Sequence, residues 1–169
     1  MPLSIAVAFV RRHVVIGALA ITAVLGAAVV PVVTYVIVPA LVRSTLVEDA
    51  PESSAGASGP IPAETVRQGE LVRINAVDYG SGVVRLVRIG TDLVLRFENV
   101  DIAGAPDVYV YLSDRADGQP GAFVELGKLK ATNGSFNYAV PAGIDVTSVR
   151  SVVLWCRQFS VTVTYALLT

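Results

Sequence analysis

One cysteine occurs in the chain, Cys156, and it stands in the run Val152-Val-Leu-Trp-Cys-Arg157. Alternate residues of a strand face opposite ways, so Val152, Leu154 and Cys156 share one face while Val153, Trp155 and Arg157 share the other. Arg157 marks the tryptophan face as the one nearer water, which turns the thiol inward. Two chemistries are open to it. A buried cysteine packs as a small hydrophobe and never reacts, whereas an accessible one, with Arg157 helping to hold a thiolate, is a redox group. An unpaired thiol is a hazard in an oxidising compartment that Ala or Val would avoid. With a single cysteine no intrachain disulfide can form, so any thiol cycle must pass through a sulfenic acid, a mixed disulfide or a metal-bound thiolate, each requiring a partner.

Other chemistry is scarce. The only histidine is His13 and the only methionine is Met1, so the C-terminal part has no imidazole base and no Cys-His pair. A two-histidine copper site, a zinc site and a bis-histidine or His-Met haem are equally unsupported. The carboxylates Asp92, Glu98, Asp101, Asp107, Asp114, Asp117 and Glu125 fall mostly at strand ends and turns, where they are solvated and cap the backbone. Asp107, after Ala105-Pro106, is placed to tie down a loop with its side chain. Gly80-Ser-Gly82 lacks the third glycine and the following helix of a phosphate cradle, and reads as a hairpin turn. With a formal net charge of −1 and basic residues scattered among acids, nucleic acid is not an expected partner.

The elements that must carry these residues have period two. Leu93, Leu95 and Phe97 alternate with Val94 and Arg96, and Val108, Val110 and Leu112 alternate with Tyr109 and Tyr111, which means strands. Further strands are expected over Gly69–Val77, Val83–Ile89, Phe123–Leu129, Ser135–Val140, Ser151–Arg157 and Phe159–Ala166, with Gly-, Pro- and Asn-rich turns between them. About eight short strands at this spacing, with no helical stripe after Ala63, predict an all-β sandwich or barrel-like domain.

The N-terminal part is of another kind. Hydrophobic residues make up 53% of the chain, and no Asp, Glu, Lys or Arg occurs from His13 to Val42. Such a run is long enough to cross the roughly 30 Å hydrocarbon core as a helix. The expected organisation is a short cytoplasmic N-terminus over residues 1–12 and a transmembrane anchor region over 13–42, spanning near Val14 to Val36. A flexible linker comes next over 43–62, and then an extracytoplasmic β-sandwich domain over 63–169. Pro31 and Pro39 are expected to kink or end the helix. Arg11 and Arg12 before the run, against Arg43 soon followed by Glu48, Asp49 and Glu52 after it, place the N-terminus in the cytoplasm. A signal peptide has a shorter apolar stretch of about 7–15 residues. The small-residue sites Ala18-Leu-Ala20 and Leu25-Gly-Ala-Ala28 lie inside the run, so an uncleaved, single-pass anchor in the cell membrane is expected. Residues 47–62, rich in Pro, Gly, Ser, Ala and acid, read as a tether.

From about Glu64 to Leu168 several segments act together: Asp107-Val-Tyr-Val-Tyr-Leu112, Glu125-Leu-Gly-Lys-Leu129, Gly134-Ser-Phe-Asn-Tyr138 followed by Pro141, Asp145, and Ser151-Val-Val-Leu-Trp-Cys-Arg-Gln-Phe-Ser-Val161. In these the chain resembles the DM-thirteen domain family, extracellular modules described as electron-transfer domains and related in architecture to the haem- and sugar-binding DOMON group. The family's cysteine, preceded by tryptophan and followed by an aromatic, corresponds to Cys156 with Trp155 and Phe159. The resemblance implies that Cys156 acts as a free thiol or a haem ligand, with Trp155 and Phe159 beside any cofactor. If haem binds, Cys156 or a tyrosine such as Tyr109, Tyr111 or Tyr138 is the ligand this domain has left. The chain departs from the pattern at Val163-Thr-Tyr165 and at Ala105. Two functions are expected. One is a membrane-tethered redox module working with a redox or envelope protein partner. The other is a non-enzymatic ligand-binding or adhesion module in which Cys156 merely packs.

Overall fold

A computed structural model describes residues 3–38, 43–51 and 63–169, and the chain divides into two compact units at Val38. The first unit is a helix, α1 (Leu3–Val32), continued by a π-helical turn over Val33–Ile37. Within α1, His13–Val32 is long and apolar enough to cross a membrane, and its Val, Ile and Leu side chains are exposed. Pro31 neither stops nor breaks it. Proline cannot donate to the carbonyl one turn back, and the winding loosens just after it: the Val38 amide bonds to the Val33 carbonyl, five residues back. The Thr34 hydroxyl donates to the Val30 carbonyl at 2.6 Å. The side chains of Arg11 and Arg12, on which the orientation rests, lie outside the described residues, as do residues 39–42 of the anchor region with Pro39 and residues 52–62 of the linker.

The second unit is all-β. Among the described residues nine strands form two sheets: β1 (Thr45–Val47), β2 (Ala63–Glu70), β3 (Gly80–Ile89), β4 (Asp92–Ile102), β5 (Val108–Ser113), β6 (Phe123–Lys128), β7 (Asn133–Val140), β8 (Ser151–Cys156) and β9 (Val161–Leu167). One sheet has the order β1-β7-β4-β3-β2 and the other β6-β5-β8-β9. Alternating hydrophobes from both pack between them, with Leu86, Leu95, Phe97 and Phe136 facing Val110, Leu112, Val152 and Leu154. The Phe97 and Phe136 rings stack at 5.0 Å with Tyr138 edge-on to both. Burying rings of this size contributes more to stability than any polar contact on the surface.

Three local expectations change. The strand expected at Gly69–Val77 is instead β2, ending at Glu70, and residues 71–79 form a loop. Asn75 decides this: its side-chain oxygen accepts from the Val77 and Asp78 amides at 2.7 Å, closing a turn that no strand can contain. Gly80-Ser-Gly82 is the start of β3 rather than a hairpin turn. A side chain at Gly80 would collide with Thr164 of the other sheet, so glycine is needed where the sheets approach, and Gly82 (φ +99°) makes a bulge opposite Glu98–Val100.

Thr45–Val47, assigned to the linker, pairs in parallel with β7. The next two residues are held as firmly. Arg96, nearly buried, donates to the carbonyls of Glu48 and Asp49, each at 2.9 Å. The Asn137 amide donates to the Glu48 carboxylate at 2.7 Å, and Lys130 pairs with the same carboxylate at 2.9 Å. Gly134 permits the approach, since any side chain there would meet the Leu46 carbonyl.

Candidate functional site

Cys156 ends β8, opposite Val108 of β5 and Val161 of β9. It is fully buried and belongs to the apolar core with Val152 and Leu154, as the strand alternation requires. Trp155, its chain neighbour, lies on the opposite face and is half-buried. Phe159 is not in a strand; it sits in the turn between β8 and β9, 39% exposed. The structure therefore does not gather Cys156, Trp155 and Phe159 around one point.

Arg157 is drawn away from the thiol. Its guanidinium lies 3.6 Å over the Tyr109 ring, donates to the Tyr111 hydroxyl at 2.7 Å and pairs with Glu125. Together the Tyr111 hydroxyl and the Glu125 carboxylate raise its already high pKa. Tyr111 stacks on Phe123 at 4.1 Å, and Asp107, expected to tie a loop, instead pairs with Lys128 at 3.1 Å. The expected thiolate partner is thus committed to an aromatic and acidic cluster on the outer face of the β6-β5-β8-β9 sheet. Sequence reasoning named each of these residues but not the cluster, because register alone brings Tyr109, Tyr111 and Glu125 to Arg157.

A cleft of about 590 Å³ opens on the same outer face. Trp155, Thr162 and Tyr165 line it from β8 and β9, with walls from the loop around Arg73 and from Asp117-Gly-Gln119. The Thr162 hydroxyl donates to the Gly118 carbonyl at 2.6 Å, pinning one wall to the sheet. The Arg115 guanidinium beside Asp117 holds that carboxyl down at about 2, so it is ionised throughout the physiological range. No sequence signal marked this cleft, since its parts come from three separated segments. Among the described residues no group of three or more His, Cys, Asp or Glu is placed to hold a metal ion.

Compared with protein-family models, residues 75–168, more than half of the chain, match the family described as Electron transfer DM13. The chain belongs to the DM-thirteen family. Neither the curated proteins nor the solved structures contain a match to it.

The DM-thirteen resemblance raised haem ligation, and Cys156, Tyr109, Tyr111 and Tyr138, where the structure places them, do not fit a haem. Cys156 is fully buried and lines neither the outer cleft nor the one beside Phe123 and Ile144. The Tyr138 hydroxyl donates to the Lys128 carbonyl at 2.9 Å and accepts from the Lys130 amide at 2.8 Å, and burial pushes its pKa up to about 12, against the phenolate a ligand requires. Tyr111 is buried under Phe123 and bonded to Arg157, and Arg157 covers Tyr109.

Proposed function

We propose that this chain is a single-pass membrane protein whose DM-thirteen domain transfers electrons on the extracytoplasmic side, with Cys156 as its redox group and a redox or envelope protein as its partner. The observation that carries this reading is the family itself, because Cys156 is the only sulfur of the domain and lies inside the matched region. Burial sets the terms of its chemistry. Sulfenic acid or mixed-disulfide formation needs contact with solvent or partner, so those routes require local opening at the end of β8. Electron loss by the thiol to an oxidant docked outside also releases its proton to water, and two such losses with one water give the sulfenic acid, so each route needs that opening.

The test uses the full chain in lipid nanodiscs, wild type against Cys156→Ser, titrated with a one-electron acceptor such as ferricyanide and followed by sulfenic-acid labelling. The wild type should consume acceptor and take label while the variant does neither and remains folded. Equal consumption by both removes Cys156 from the role. The second reading, a ligand-binding module, is favoured by the outer cleft with Trp155 and Tyr165 in its lining. Since Trp155 is the only tryptophan of the chain, its fluorescence reports a ligand there without labelling.

A further inference from the structure

We infer that the end of the β-domain bearing loop 71–79 and the turn 157–160 docks on the surface of the lipid bilayer, an inference that rests on the helix being a membrane anchor. Three observations lead there. The strands fix which parts share that end. Ser44, just before β1, is bonded to Thr132 and Asn133 at the start of β7. Asn133 pairs with Asp101 near the end of β4, Gly80 at the start of β3 pairs with Ile102, and Cys156 at the end of β8 pairs with Val108 at the start of β5. The place where the chain enters the domain, the loop before β3 and the turn after β8 are thus together.

That end is also where exposed apolar side chains gather. Val72 (37% exposed), Ile74 (44%), Val77 (43%) and Phe159 lie there. Of the remaining large exposed hydrophobes of the described domain, Phe123 and Leu167 lie toward the opposite strand ends, and Val47 lies at the β1 edge beside Ser135. Loop 71–79 is built to present them. The Val72 amide donates to the Tyr165 carbonyl, the Ile74 and Asn75 amides to the Asp78 carbonyl, and the Asn75 side chain closes the tip. A chain held this tightly gives up little conformational freedom on inserting apolar tips into an interface. Between them Arg73 lies 4.5 Å over the Tyr79 ring, a cation on an aromatic support of the kind that suits the headgroup layer.

The third observation is covalent. Residues 39–44 are all the chain between the described helix and β1, and an extended chain covers at most about 3.5 Å per residue. Because β1 is bonded to β7, and Glu48 and Asp49 to Arg96, residues 45–49 belong to the domain and add nothing to that connection. The apolar end therefore meets lipid. Cys156 lies at that end, which would bring the redox group toward a membrane-embedded electron partner.

The test places the environment-sensitive fluorophore NBD on Val77→Cys or, at the opposite end, Thr91→Cys of the full chain in nanodiscs containing headgroup-proximal spin-labelled lipid. Each variant is prepared both with Cys156→Ala and with Cys156 left sealed in place, so a background that misfolds does not decide the result. Quenching at position 77 several-fold stronger than at 91, abolished by Ile74→Asp, supports the inference. Equal quenching at both positions overturns it, as does a blue-shifted, unquenched probe at 77 in detergent and bilayer alike, which would mean a second copy covers the patch. Extraction at alkaline pH separates the two readings: release from the bilayer defeats the anchor, whereas retention with equal quenching defeats only the docking.

Discussion

The two faces of β8 carry neighbouring residues into opposite surroundings. Val152, Leu154 and Cys156 meet the other sheet and are sealed, while Trp155 opens on the cleft and Arg157 caps two tyrosines in reach of water. One residue step along a strand, about 3.4 Å, separates a thiol that water does not reach from an indole that a ligand can. What covers a face, more than the residue type on it, sets the chemistry available. Val153 makes the same point, since it lies on the outer face and is nonetheless buried.

If this contrast holds, truncation on the inner face has the largest effect. Leu154→Ala should lower the stability of the full chain by about 3 kcal/mol, against about 1 kcal/mol for half-buried Trp155→Ala, read from urea midpoints at constant slope. Equal losses would break the comparison. Cys156→Ser, which places a hydroxyl in an apolar site, should cost about 1–2 kcal/mol. In the native wild type the same thiol should react with a disulfide reagent orders of magnitude more slowly than in urea, and a native rate near the unfolded one would show the inner face to be open. Arg157→Ala should move the urea midpoint less than any of these substitutions, because its ion pair is half in water. Its diagnostic is spectroscopic: the tyrosine absorption of Tyr109 and Tyr111 should shift as both rings lose their cover.

The smallest effect extends the comparison to the other sheet. Lys130 and the Asn137 amide bind the Glu48 carboxylate and hold its pKa below the ordinary value of 4.5. A carboxyl depressed in the folded state contributes stability above its unfolded pKa and loses it as the pH falls through the folded one. Acid titration of the melting temperature should therefore show a decline below about pH 4.5 that Glu48→Gln makes shallower. An unchanged acid slope would mean that β1 is held by its backbone bonds alone.

From the chain alone came the apolar helix, the all-β class, six of the strands within a few residues and the inward face of Cys156. All rest on patterns of neighbouring residues: an uninterrupted apolar run, alternation of period two, and glycine or proline between strands. The family resemblance was legible for the same reason, in segments that each lie within one strand or turn. What only the tertiary structure decided involves residues far apart in sequence. Thr45–Val47 is too short to declare itself a strand, and Glu48 reads as linker until Lys130 and Asn137 are beside it. Phe159 belongs to a turn because the strand after it begins only at Val161. Arg157 serves Tyr109, Tyr111 and Glu125 instead of the adjacent thiol, since pleating sends neighbours to opposite faces and register chooses their partners. The outer cleft has no sequence pattern at all, because three separate segments meet there only once the sheets have packed.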